Sequence, residues 1–120
     1  MCAMTVFGIS NCDQVRKART WLEEQGVDFV FHDFRKDGLS VEQVRQWAAA
    51  IGWENVVNKR SKVWREMSSE EREHMNEEKA IAAAVAQPTF IKRPFLVAGN
   101  HFIPGFDAAR WQAAIDNLST

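Results

Sequence analysis

The stretch Phe7-Gly8-Ile9-Ser10-Asn11-Cys12-Asp13-Gln14-Val15-Arg16-Lys17-Ala18-Arg19 decides the fold. A short apolar run from Met4 to Gly8 ends in a polar turn, and a single cysteine stands where helical periodicity begins. From Val15 the apolar residues recur at Ala18 and Leu22, the stripe of an amphipathic helix. Cys12 is therefore expected at the mouth of a helix, where unpaired N–H groups and the positive end of the dipole favour a thiolate. Arg16, Lys17 and Arg19 follow within two turns and are expected to strengthen that field, the setting of a reactive cysteine.

Outward from this stretch, Gly26 reads as the residue that ends the first helix, and Val27 to Phe34 as a second strand. Strand, helix, strand at this spacing is a βαβ unit with a parallel pair. Asp37-Gly38 marks a turn, and Ser40 caps a helix with the stripe Val41, Val44, Ala48, Ile51 and an end at Gly52. Residues 53–87 show no strand signal: Ser68-Ser69-Glu70-Glu71 is a capping-box pattern, and the Ala-rich run from Glu77 to Ala86, stopped by Pro88, is helical. Then Phe95-Leu96-Val97-Ala98, a Gly99-Asn100 turn and His101-Phe102-Ile103 form a hairpin, broken by Pro104-Gly105. Asp107 can cap a closing helix whose inner face is Trp111, Ile115 and Leu118. The order β-α-β, helical block, β-β-α describes an α/β chain with a thioredoxin-like, mixed four-stranded sheet. All 120 residues are expected to form one domain, with a helical insertion at about residues 40–87.

Composition narrows the function classes. The chain has 15 Lys+Arg against 16 Asp+Glu, so it lacks the basic excess of a general nucleic-acid binder. No apolar run approaches the roughly 20 residues that span a bilayer. No basic region precedes the first apolar stretch, which predicts no secretory signal and a cytoplasmic protein. The two cysteines, Cys2 and Cys12, would flank the first strand about 20 Å or more apart, beyond the roughly 4.4–6.8 Å a disulfide allows. One poised thiol without an internal partner suits a reducing compartment.

Most free cysteines are small buried hydrophobes, but a core cysteine would not sit in a polar turn at a helix start. Arg93, before Pro94, reads either as a surface arginine beside an edge-strand proline or as part of a site. Lys59-Arg60-Ser61-Lys62 is a basic cluster of the kind that usually faces solvent, though a guanidinium there can hold an oxyanion in two-point fashion. His32, His74 and His101 lack metal-ligand spacing, which rejects a zinc site; His32 and His101 read as strand residues. The tryptophans read as core.

Taken together, Phe7-Gly8-Ile9-Ser10-Asn11-Cys12-Asp13, Lys17-Ala18-Arg19-Thr20-Trp21-Leu22 and Phe31-His32-Asp33-Phe34-Arg35-Lys36-Asp37-Gly38-Leu39 resemble the arsenate reductase-like (ArsC/Spx) family. Asn58-Lys59-Arg60-Ser61, Trp64-Arg65 and Ile91-Lys92-Arg93-Pro94 extend the likeness, which runs from about Thr5 to Asn117 and is strongest to the YffB-type branch of glutathione-dependent thiol reductases. The resemblance implies a thioredoxin-like fold, Cys12 as nucleophile, and Arg60 and Arg93 as anion-binding residues with Asn11 beside them. It also implies a cis Arg93–Pro94 bond.

No bound cofactor is expected. Glutathione would act as co-substrate, held by Pro94, Phe106 and the backbone at Asp107, on a small thiol or oxyanion substrate. Glutaredoxin is a further expected partner, nucleic acid and membrane are not, and the protein is expected to be a monomer. Two departures shape the reading. Ile103-Pro104-Gly105-Phe106-Asp107 lacks the third arginine of arsenate reductases, and Val15 stands where Spx regulators carry a second cysteine. A glutathione-dependent monothiol reductase is therefore the expected function, with an Spx-like regulator of RNA polymerase and an arsenate reductase as rivals.

Overall fold

The computed structural model describes residues 4–118 and divides into two compact units. The first joins the chain up to Asp37 with the segment from Arg93 onward; the second is Gly38–Lys92.

In the first unit, β1 (Met4–Gly8) is central: it pairs in parallel with β2 (Val30–Asp33) and antiparallel with β3 (Phe95–Ala98), which pairs with β4 (His101–Pro104). The sheet order is β2-β1-β3-β4, the thioredoxin-like arrangement expected from the sequence. Alternation along the strands sends Met4, Val6, Leu96 and Ala98 to one face. There they form a core with Ala18 and Leu22 of α1 (Asp13–Glu24) and Trp111 and Ala114 of the closing helix, Ala108–Leu118.

The second strand is shorter than its apolar run suggested, because both ends are spent on turns. Val27 N–H closes α1 by donating to Leu22 C=O at 3.2 Å while Gly26, at φ 68°, donates to Glu23 C=O at 3.1 Å. This is the left-handed glycine stop that satisfies the last carbonyls of a helix. At the far end Asp33 Oδ1 accepts from Arg35 N at 2.8 Å and starts the helical turn α2 (Phe34–Asp37). Pro104, expected to break the hairpin, instead ends β4 opposite Phe95. Its missing N–H is tolerated because β4 is an edge strand. Leu118, expected on the inner face of the closing helix, is 37% exposed.

Gly8 is required by packing. A Cβ there would lie 2.7 Å from Val15 Cγ2, so the end of β1 and the first turns of α1 approach more closely than any side chain permits.

The second unit holds α3 (Val41–Ile51), α4 (Trp53–Val56), α5 (Lys62–Arg65), α6 (Ser69–Glu73) and α7 (Glu77–Ala86), then a 3-10 turn at Pro88–Phe90. The closing helix of the first unit is α8. Ser40 and Ser68 each start a full capping box, with Gln43 and Glu71. Val44, Trp47 and Ala48 are the buried face of α3, which packs on α7; Val41, expected in the stripe, overhangs the first turn and stays exposed.

Candidate functional site

Cys12 is the N-cap of α1, in extended conformation at φ −92° and ψ 127°. Its N–H donates to Ile9 C=O at 3.3 Å, and its C=O accepts from Arg16 N at 3.0 Å. The side chain makes no capping bond and forms no disulfide, so the half-buried thiol is available while the first N–H groups of α1 lack helical partners. Cys2, expected at the far end of β1, lies outside the described residues.

Two of the three basic residues of α1 have partners other than the thiol. Arg16 is ion-paired with Asp13 one turn away. Arg19 lays its guanidinium over the Phe31 ring, 4.1 Å from the centroid, with Nε buried and without a hydrogen-bond partner. A carboxylate and an aromatic face are the partners these two cations take. Lys17 lines an open groove of about 640 Å³ with Asp13, Gln14, Arg16, Trp21 and Phe106, among others.

Phe106 closes one wall of this groove. Its ring centroid is 5.8 Å from Trp21 and 5.0 Å, edge to face, from Trp111. The loop that carries it is tied at Gly105, whose N–H donates to Pro94 C=O at 2.8 Å and whose C=O accepts from Trp111 Nε1 at 3.0 Å. Gly105 has φ 77°, a backbone that side chains rarely adopt. The Arg93–Pro94 bond is cis, Pro94 is buried and Arg93 half-buried. Asp107 caps α8: its C=O accepts from Trp111 N at 2.9 Å and its Oδ1 from Arg110 N at 3.2 Å. That carboxylate occupies one helix N–H that a bound anion would otherwise use.

Of the residues singled out from the sequence, Asn11, Cys12, Arg93, Pro94, Phe106 and Asp107 belong to the first unit, and Arg60 to the second. Asn11 is exposed in the turn before the cysteine. Arg60 follows an Asn58 turn, its N–H bonded to Asn58 Oδ1 at 2.9 Å, and lines a pocket of about 460 Å³ with Lys59 and Lys92. The sequence reading missed Trp21 and Lys92. Trp21 interrupts the polar face of α1 one position before the buried Leu22, which was the available signal. His32 lies across from Phe7 in the parallel pair, ring centroids 4.7 Å apart and planes tilted by 39°, and no cluster of metal-ligating side chains occurs among the described residues. No helix among the described residues is long and apolar enough to cross a membrane.

A free, half-buried cysteine at the N-cap position of the helix after a central strand, in a sheet whose third strand follows a cis X–Pro bond, defines a thioredoxin-like protein. The ArsC family model matches residues 7–114, and the chain belongs to that family. A Haemophilus influenzae protein, itself uncharacterized, is 36% identical over 111 residues, covering 92% of this chain and 97% of its own. The solved structure of a YffB protein is 38% identical, covers 92% of this chain and 97% of its own, and superposes with a TM-score of 0.87. The global transcriptional regulator Spx of Bacillus subtilis is 24% identical over 106 residues, covering 87% of this chain and 80% of its own.

Proposed function

We propose that this protein is a glutathione-dependent monothiol reductase with Cys12 as its nucleophile. The observation that carries this reading is the uncapped, unpaired Cys12 side chain at the start of α1 in an ArsC-family chain. With a mixed disulfide of glutathione as substrate, the Cys12 thiolate attacks the glutathione sulfur. The substrate leaves as a thiolate, and Cys12–S–S–glutathione forms. A second glutathione thiolate attacks its own kind in that adduct, releasing glutathione disulfide and regenerating Cys12. The net change reduces the mixed disulfide to a free thiol and oxidises one free glutathione, which leaves joined to the glutathione that the substrate carried.

In this reading Asn11, Arg93 and Arg60 meet negative charge on the bound groups, as fixed donors do best when placed before the reaction. Pro94 and Phe106 hold the body of the tripeptide, and the backbone at Asp107 holds a carboxylate. Val15 in place of a second cysteine leaves resolution to an outside thiol. Such chemistry suits a reducing compartment, the cytoplasm, and is available to a monomer. Glutaredoxin is a partner of the same chemistry, able to resolve the adduct in place of glutathione.

The test is mass spectrometry with site mapping after treatment with glutathione disulfide, run beside turnover of a glutathionylated peptide. One glutathione on Cys12, removed by free glutathione, and turnover lost in Cys12→Ser are expected. An unmodified Cys12, or full turnover in Cys12→Ser, overturns the reading. The 24% identity to Spx supports a second reading, contact with RNA polymerase without catalysis. Co-purification with polymerase and no thiol-dependent turnover would favour it.

A further inference from the structure

We propose that Lys17 binds the glycine carboxylate of glutathione and makes the site prefer thiols that end in a carboxylate. The inference rests on the function proposed above and adds to it a residue and a selectivity.

Lys17 is exposed on the groove of about 640 Å³ beside α1, the helix that Cys12 starts. The charged residues of the groove are Asp13, Arg16, Lys17 and Glu24. Asp13, one turn before Lys17, is the carboxylate best spaced to hold it. Arg16 takes that carboxylate instead. Glu24 stands seven residues beyond Lys17, about 10 Å along the helix axis. No ion pair among the described residues engages Lys17 or Glu24. With Asp13 and Arg16 neutralising each other, Lys17 is the cation this groove still offers to an anion.

Its position matches the length of the tripeptide. Lys17 follows Cys12 by five residues, about 7.5 Å along the axis, and helix side chains lean back toward the N-terminus. In extended glutathione the terminal carboxylate lies one to two residue lengths beyond the cysteine, roughly 4–7 Å at about 3.3–3.6 Å per residue. The two spans are of one size, so glutathione joined to Cys12 brings that carboxylate within reach of a flexible four-carbon lysine stem. Arg19, the remaining cation of α1, does not line the groove and lies over Phe31. Across the groove Phe106, its ring 5.8 Å from that of Trp21, has no side-chain donor and leaves the carboxylate to Lys17. The γ-glutamyl carboxylate is then the one held by the backbone at Asp107.

The test titrates S-methylglutathione, which has no thiol to react, and its glycine ethyl ester into the Cys12→Ser protein. Binding is followed by NMR at the backbone amides of α1 and the Trp21 indole N–H. The ester should bind about fivefold more weakly than the acid, the order expected for one solvent-exposed unit charge near 4 Å. Lys17→Gln should weaken the acid about fivefold and leave the ester unchanged, while Lys17→Arg keeps the difference between them. Glu24→Gln should change the acid by less than about twofold, because 10 Å exceeds the screening length of roughly 8 Å at physiological salt. Lys17→Gln weakening both ligands equally, or neither, overturns the assignment, as does a Lys17→Arg protein that treats acid and ester alike. A Glu24→Gln effect as large as that of Lys17→Gln overturns it too, since the cause would be overall charge. Absence of saturable binding also removes Lys17 from the site. In each of these cases a glutathione adduct mapped to Cys12 of the wild-type protein keeps the proposed function, and its absence removes both.

Discussion

Replacing Gly8 by alanine tests whether the close approach of β1 and α1 sets the position of the cysteine turn. The added Cβ would stand 2.7 Å from Val15 Cγ2, about 1 Å inside the separation at which carbon atoms attract. Rotation of Val15 offers little relief, because Cγ1 and Cβ stand at 3.5 and 3.7 Å from the same point. Val15 is fully buried and has nowhere to retreat. Overpacking of this kind costs about 1–3 kcal/mol. Against it stands a gain of about 0.4–1 kcal/mol from the stiffer unfolded chain, since Gly8 is not among the glycines with positive φ. The net expectation for Gly8→Ala is a destabilisation of roughly 0.5–2 kcal/mol, read as a Tm lowered by about 4 °C for each kcal/mol.

The diagnostic is the double mutant. Val15→Ala alone should cost about 2 kcal/mol from lost burial. In that background the new Cβ meets no branched side chain, and Gly8→Ala should become neutral or stabilising. Thermal and denaturant unfolding of the four proteins gives the coupling energy, expected at about 1–2 kcal/mol. If Gly8→Ala costs the same in both backgrounds, or costs nothing, the contact does not set the spacing.

Phe106→Ala should raise KM for glutathione about tenfold, with a smaller change in kcat, because it removes the groove wall that packs on Trp21; an unchanged KM refutes a role in holding the tripeptide. Arsenate reduction with glutathione and glutaredoxin should run at least about 100-fold slower than turnover of a glutathionylated peptide, since one missing oxyanion donor costs on the order of 10²–10³ in rate. Efficient arsenate turnover, abolished in Arg93→Ala, would refute the thiol-substrate reading. Glu71 is held below its ordinary pKa of 4.5 by the Ser68 backbone N–H and then by the Ser68 hydroxyl. A depressed carboxylate stabilises the fold above its unfolded pKa and loses that contribution as pH falls through the folded one. Wild type should therefore exceed Glu71→Ala in Tm at neutral pH, and the gap should shrink from about pH 4.5 downward; a gap independent of pH refutes the capping-box charge effect.

Local signals made much of the fold legible. Ser40 with Gln43, Ser68 with Glu71, and Gly26 after α1 each act within a few residues of chain, so their geometry is written where they stand. Periodicity located α1, α3, α7 and the hairpin for the same reason. Competition between local and tertiary partners was less legible. Val27 looks like a strand residue, yet its N–H is more useful closing α1 than pairing with β1. Arg16 and Arg19 look like a field for Cys12, yet Asp13 and Phe31 claim them, and no count of charges along the helix reveals that. The tryptophans read simply as core, but Trp53 and Trp64 hold Lys59 between separate elements, a relation carried by neither neighbour in sequence.

The loop after β4 is what favours the proposed thiol-adduct reading over a small-oxyanion one. An arginine there would present a charged fork; this chain presents Gly105, tied on both sides to Pro94 and Trp111, and then the Phe106 ring against Trp21. Those bonds leave the loop little freedom to swing Phe106 aside, and the nearest arginine, Arg110, already lies within α8, its N–H in the Asp107 cap. A tetrahedral oxyanion gains nothing from an aromatic wall and loses a donor. A tripeptide disulfide gains apolar contact along its body, in a groove of about 640 Å³ whose rim also offers Lys17 and Gln14. Under the proposed function, a phenylalanine in place of an oxyanion donor favours a larger sulfur substrate over a small oxyanion. This makes Phe106, rather than either arginine, the residue whose replacement should most sharply separate glutathione turnover from small-anion binding.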